Sequence, residues 1–358
     1  MGGQQPDRTG WHAERHTITF VTFVAAALAI AVAIALAVVE RVAGEHPVAD
    51  TLYDIWLRRQ DLDALDRASA ENPRRADVVI TLTTLPSRIE RIDTTLKSLL
   101  RQTISPTTIR LNVPRVSRRE GVTYDVPERL RRLRSVTIVT CDDYGPATKL
   151  IPALLDARDD TRLLVVDDDR IYHAHFVEQM VACSDRHPDA AVASSGWNAP
   201  ADLIDRPTTL VATLFRRPPA PIKCTRVRGE VDVDIMQGLG GYVVRPRFFD
   251  AAELSDYSRA PEAAFYVDDV WISAHCRARK VVFKARRTNF ASLADARFYK
   301  RTSVALVNRG SGTLDSRNNT IMLRHFADRW RLRRPVYVKS ARASKMAEDD
   351  DRRPRDTA

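Results

Sequence analysis

Residues 17–39 read TITFVTFVAAALAIAVAIALAVV, twenty-three positions without one charge. A helix that long crosses the hydrocarbon layer of a bilayer with some tilt to spare. A secretory signal has a shorter apolar core and a small-residue cleavage site, which alanine-rich sequence imitates. Two readings therefore stand, a retained single-pass anchor and a cleaved leader, and the length favours the anchor. Arg8 and Arg15 precede the stretch, whereas Arg41, Arg58 and Arg59 come after it. That distribution tips the larger C-terminal part only slightly towards the cytoplasmic side.

The rest of the chain divides by pattern. Residues 1–16 form an N-terminal tail, and 40–76 a charged juxtamembrane connector in which Leu52, Ile55, Trp56, Leu62 and Leu65 mark an amphipathic helix. From residue 77 strand and helix patterns alternate. Strands are expected at Asp77–Thr84, Thr108–Val113, Ser135–Thr140, Arg162–Val166 and Ala190–Ser194. Helices are expected at Arg88–Gln102, Pro146–Ala157 and His173–Arg186. Beyond Gly196, strands are expected at Asp232–Met236, Gly241–Val244 and Val281–Ala285, and helices at Asp269–Arg279 and Asn319–Leu332. The alternation implies an α/β domain over 77–336, a mixed and mainly parallel sheet flanked by helices. Residues 337–358 are highly charged and read as a disordered tail.

In such a sheet, chemistry gathers beyond the carboxyl ends of the strands. Asp167-Asp168-Asp169 directly succeeds the apolar run RLLVV there. Along an extended chain Asp167 and Asp169 share a face and Asp168 points away. Two carboxylates on one side call for a cation between them, and Mn²⁺ or Mg²⁺ that also holds phosphate oxygens meets that need. The plainer reading is a solvated acidic turn. Tyr172, His173 and His175 come next; one histidine is a candidate further ligand, and a helix-start or surface role is the plainer reading of it.

Asp268-Asp269 stands just ahead of the expected helix, where one carboxylate can accept a proton and the other cap the helix; Asp269 is the better base. Asp142–Leu150 (DDYGPATKL) opens another helix, and Lys149 there either meets a phosphate or faces solvent. Gln237–Gly241 (QGLGG) is a turn or the wall of a second-substrate pocket. Lys and Arg total 56 against 46 acidic residues, a net charge of +10, which suits phosphate-bearing ligands or an anionic membrane surface. Basic and aromatic residues do not interleave as a nucleic-acid reader requires, so no nucleic-acid partner is expected. Arg115, Arg118, Arg119, Arg129, Arg131, Arg132 and Arg134 form the one notable basic cluster, a solvated face or a contact for lipid or acceptor phosphate. Four scattered cysteines with no CxxC pair imply no disulfide framework.

Taken in order, LTTLPSRIERIDTTLKSLLRQT, GPATKL, VVDDDRIY, GLGGYVVR and YVDDVWIS resemble bacterial family 2-like glycosyltransferases of the GT-A (Rossmann-like) fold, over Asp77 to Lys284. The resemblance implies a nucleotide-diphosphate sugar as donor, bound by Thr83, Thr84, Pro86, Arg88, Asp143, Lys149, Asp167 and Asp168. It implies Asp167 and Asp169 as metal ligands, with Asp269, assisted by Asp268, as catalytic base. Leu85-Pro86-Ser87-Arg88 replaces the Asn-Glu usual after the first strand. The Gln-x-x-Arg-Trp of processive synthases is absent, since Arg329-Trp330 lacks its Gln. Transfer of one sugar to a lipid-linked or cell-envelope glycan acceptor, on the cytoplasmic side, is the expectation. A nucleotidyltransferase or phosphohydrolase, or a non-catalytic tethered binding domain, is the alternative.

Overall fold

The computed structural model describes residues 8–43, 46–208 and 219–330. The expected tail over 337–358 lies outside the described residues. The chain divides into two units, Met1–Ala49 and Asp50–Ala358.

In the first unit, helix α1 runs Arg8–Ala43, extending the apolar stretch at both ends. Its segment Phe20–Val38 has a mean hydropathy of 2.8 and is long and apolar enough to cross a membrane. Helix α2 (Pro47–Arg58) then leads into the second unit, where α3 (Leu62–Glu71) starts on the Asp61 carboxylate, which accepts from the Ala64 amide. Residues 50–76, read from sequence as connector, are thus largely two helices of the globular unit.

The second unit is an α/β fold. Its strands are β1 (Val79–Thr83), β2 (Thr108–Pro114), β3 (Val136–Cys141), β4 (Leu163–Val165), β5 (Arg170–Tyr172), β6 (Ala190–Ala193), β7 (Ser195–Trp197), β8 (Ile222–Lys223), β9 (Glu230–Asp232), β10 (Ile235–Met236), β11 (Tyr242–Val244), β12 (Arg279–Phe283) and β13 (Asn289–Ala291). Eight of them form one sheet in the order β3-β2-β1-β4-β11-β6-β12-β9. Pairing is parallel from β3 through β4 and between β6 and β12. It is antiparallel on both sides of β11 and at β9. The expected mixed, mainly parallel sheet is therefore present. The pair β13–β5 and the group β10-β7-β8 sit apart from it.

Among the described residues the unit also contains helices α4 (Asp93–Leu100), α5 (Glu128–Arg131), α6 (Ile151–Asp156), α7 (Phe176–Arg186), α8 (Ala251–Ser255), α9 (Asp268–His275), α10 (Ala296–Arg301), α11 (Val304–Val307) and α12 (Asn318–His325). The run of apolar residues in β4 shows why both faces are covered. Leu163 and Val165 enter one core with Tyr242, Val244 and Trp271, while Leu164 and Val166 enter another with Leu82, Leu96, Leu99 and Met180. Each such side chain contributes about 1.5–3 kcal/mol by leaving water.

Several boundaries differ from expectation. The helix expected over Pro146–Ala157 breaks into a 3₁₀ turn, Gly145–Lys149, and then α6, because Pro152 has no amide to donate and so sits in a helix's first turn. The Arg88–Gln102 helix likewise opens as a 3₁₀ turn, Ile89–Arg91. The strand expected over Asp232–Met236 splits between two sheets. The Asn198 side chain takes the Asp234 amide at 3.1 Å, and the Asp234 carboxylate takes the Ala199 amide at 3.0 Å, drawing β10 to β7. Helix α9 stops at His275 because Arg279 already pairs with Ala190 in β12.

Candidate active site

A cleft opens at the carboxyl ends of β1–β4, where the alternation of strands and helices placed it. Its walls include Thr83, Thr84, Leu85, Arg88, Pro114, Arg119, Asp143, Lys149, Asp167, Asp168, Asp169, Tyr266 and Asp268. The parallel register lays Thr83 beside Asn112, and the Thr83 hydroxyl donates to the Asn112 carbonyl at 2.8 Å.

Lys149 is the hinge of the charge arrangement. Only 6% of it is exposed, and its Nζ lies 2.6 Å from both Asp167 Oδ1 and Asp268 Oδ2. Burial opposes its charge, but Asp167, Asp268 and Asp269 outweigh that, and its pKa is raised well above that of an ordinary lysine. Its backbone is fixed from the sheet, for the buried Thr81 hydroxyl donates to its carbonyl at 2.6 Å. A solvent-facing Lys149 is therefore overturned.

The acidic triplet does not form the extended alternation expected of it. The chain leaves the strand after Val165 and turns at Asp168 and Asp169 before β5 begins at Arg170, so facing no longer alternates. Asp168, expected to point away, lines the same cleft. It is buried, accepting from Thr84 Oγ1 at 2.7 Å and Arg88 NH1 at 2.8 Å, and its carbonyl takes the Thr95 hydroxyl at 2.7 Å. Arg88 NH1 is also 3.8 Å from Asp169. Burial first, then Asp168 and Asp167, raise the Asp169 pKa to about 6.

Asp269 opens α9 behind Asp268, in a second depression with Trp197, Gln237, Asn308, Arg317 and Asn319. Its Oδ1 accepts from the Gly238 amide at 2.9 Å. Burial, reinforced by Asp268, raises its pKa to about 8, against the opposing pull of Lys149. Helix capping and proton acceptance do not compete here, because the amide it holds belongs to the glycine turn and not to α9. That turn comes close for a simple reason: a Cβ on Gly238 would stand 2.2 Å from Lys149 Nζ and 2.9 Å from Asp167 Oδ1. Asp143 braces the facing wall, taking the Gly145 amide and the Arg118 amide at 2.7 Å each. Gly145 has φ +61°, and a side chain there would strike the Phe265 carbonyl.

Thr83, Arg88, Asp143, Lys149, Asp167, Asp168, Asp169 and Asp268 thus converge on one cleft, and Asp269 borders the next depression. Pro86 is not among the lining residues. His175 turns to Glu178 at 3.0 Å. Sequence reasoning missed the residues that close the cleft from far along the chain, among them Tyr266, Ser303, Val304 and Asn308. Thr302 ties that segment down: its carbonyl accepts from Arg88 at 3.0 Å and from Arg119 at 2.7 Å. Arg119, grouped by sequence with a surface cluster, therefore stands in the cleft. No short-range signal links it to residue 302.

An incoming cation is tested by the donor set. Among the described residues no three His, Cys, Asp or Glu side chains form a ready-made cage. Mg²⁺ and Mn²⁺ in phosphate-handling sites do not require one, since one or two carboxylates and substrate oxygens suffice. Asp169, whose pKa is raised by burial and by Asp168 and Asp167, fits that role, and Asp167 lines the same cleft with one oxygen already held by Lys149.

No protein-family model and no curated protein matches the sequence. Among solved structures, S. aureus TarS 1–349 is similar at 14% identity and TM-score 0.38, covering 71% of each chain. The same fragment in complex with UDP-GlcNAc gives TM-score 0.37, covering 71% of this chain and 72% of that one. The fold is assigned from the order and pairing of the strands themselves.

Proposed function

We propose that this chain is a membrane-anchored, metal-dependent glycosyltransferase that moves one sugar from a nucleotide-diphosphate sugar to a lipid-linked or envelope glycan acceptor on the cytoplasmic side. The observation that carries the reading is the meeting of the acidic triplet, Lys149 and the Asp268–Asp269 pair at one sheet edge.

The division of labour comes from the charges. Arg88, Arg119 and Lys149 line the cleft as cations and favour a diphosphate there. Asp167 and Asp169 would hold the divalent ion, which when bound offsets charge on the leaving diphosphate. Lys149 holds Asp167 and Asp268 in place. Asp269 takes the proton from the acceptor hydroxyl. Its raised pKa suits this work, because a general base is most effective when its pKa lies near the working pH. Asp268 spans the cleft and the neighbouring depression, which supports entry of donor and acceptor from two sides.

The test measures nucleoside diphosphate release from a panel of nucleotide sugars, with and without lipid-linked acceptors. Release that requires an acceptor, and that Asp269→Asn abolishes while nucleotide affinity stays within about twofold, supports the reading. Release of nucleoside monophosphate without an acceptor would instead identify a phosphohydrolase. Failure to bind any nucleotide with Mn²⁺ present would identify a binding scaffold.

A further inference from the structure

Helix α2 reverses the ordinary amphipathic pattern. Its inward face carries acids: buried Asp50 pairs with Arg287, and buried Asp54 takes Arg58 Nε at 2.7 Å and the Ser292 hydroxyl at 2.5 Å. Leu57 is fully buried beside them, and the ring of Tyr53 meets Phe290 edge-on at 6.0 Å. Helix α2 is therefore locked to the globular unit. The outward stripe is apolar instead. Leu52, Ile55 and Trp56, at spacing i, i+3, i+4, are 63%, 43% and 39% exposed, and Val48 one turn earlier is 57% exposed. A helix that packs only against its own domain places its apolar stripe inside.

Chain connectivity says what covers the stripe. Residues 44–46 alone separate α1 from α2. At no more than about 3.6 Å per residue, the start of α2 stays within about 14 Å of the end of α1, however the two are arranged. The apolar segment Phe20–Val38 ends only five residues before α1 does. Cations border the stripe: Arg59 is exposed just past it, and the Arg101 guanidinium lies 4.5 Å from the centroid of the Trp56 ring. An apolar ridge with a tryptophan and flanking arginines is the composition that the headgroup layer of an anionic bilayer favours.

We propose that α2 is an interfacial helix whose Leu52, Ile55 and Trp56 insert into the headgroup layer, so that the globular unit rests on the bilayer and does not swing on a tether. This rests on α1 crossing a bilayer and not on sugar transfer. It commits to lipid as the occupant, in preference to a second copy of the chain.

The experiment uses the full chain in vesicles of phosphatidylcholine and phosphatidylglycerol. A Cys141→Ser background removes the one cysteine that is not buried. An environment-sensitive fluorophore is attached through Leu52→Cys, and in separate proteins through Ile55→Cys, Ala27→Cys within α1, and Val122→Cys on an exposed loop. The Leu52→Cys and Ile55→Cys probes are expected to shift to the blue and to lose emission to lipids carrying a nitroxide on the headgroup. Ala27→Cys is expected to be quenched by nitroxides deep in the acyl chains, and Val122→Cys by neither. Leu52→Cys and Ile55→Cys probes that behave like Val122→Cys, with Ala27→Cys quenched, overturn the interfacial helix and leave the anchor intact. An unquenched Ala27→Cys overturns the anchor and the proposal with it. Disulfides between copies through Leu52→Cys that persist on dilution into excess lipid assign the stripe to a second copy and also overturn it.

Discussion

Replacing Lys149 by Met removes one cation from between two carboxylates while keeping most of the side chain's volume. Taking one partner from a buried ion pair costs about 3–5 kcal/mol, because the other charge stays behind unpaired. Here two are left, but they differ. The Asp167 side chain is 25% exposed and can regain water, whereas that of Asp268 is 14% exposed with half-buried Asp269 next to it. Partial rehydration of Asp167 places the cost at the lower end, about 3 kcal/mol. For a domain of this size that lowers the melting midpoint by roughly 6–12 °C. The assay is thermal unfolding of Lys149→Met in parallel with the parent at neutral pH. A loss under about 1 kcal/mol would refute the reasoning that Lys149 neutralises this cluster.

Four further outcomes rest on the same geometry. Asp269, held protonated up to about pH 8, should make transfer climb close to tenfold per pH unit below that value and level above it; a flat profile would remove its role as base. Since the folded chain holds this proton more tightly than the unfolded chain, its contribution to stability is present at low pH and is lost as pH rises through about 8, and Asp269→Asn should abolish that part of the pH dependence. Gly238→Ala drives a methyl group into the buried Lys149–Asp167 pair, so nucleotide affinity should fall about tenfold, measured by calorimetry, and the melting midpoint should fall with it. Arg88→Lys cannot hold Asp168 and both Thr302 acceptors together as the guanidinium does, and a nucleotide affinity equal to the parent's would show that this fork is dispensable.

The sheet was legible because β-branched and apolar runs at residues 79–83, 108–114 and 163–165 each end at a turn signal, and the helices between them dictate parallel pairing. The acidic residues were legible for the same reason: strand ends fix where chemistry gathers. The facing of the triplet was not, since it depends on the turn at Asp168–Asp169, and on Arg88 and Thr84 reaching that turn from β1's far end. Long-range closure was equally hidden. Arg119 and Thr302 meet across 183 positions, and nothing in either local sequence foretells the contact. The same holds for α2, whose amphipathic spacing was plain but whose inverted orientation depends on Arg287 and Ser292 supplying partners for its acids.

Titration of UDP into the purified chain, with and without Mn²⁺, probes the proposed metal–diphosphate role of the cleft most directly. Mn²⁺ should tighten UDP binding, and Asp169→Ala should lose that gain, by about tenfold or 1.4 kcal/mol or more, with its metal-free affinity little changed. An Asp169→Ala chain that keeps the full Mn²⁺-dependent affinity would contradict a cation held at this sheet edge.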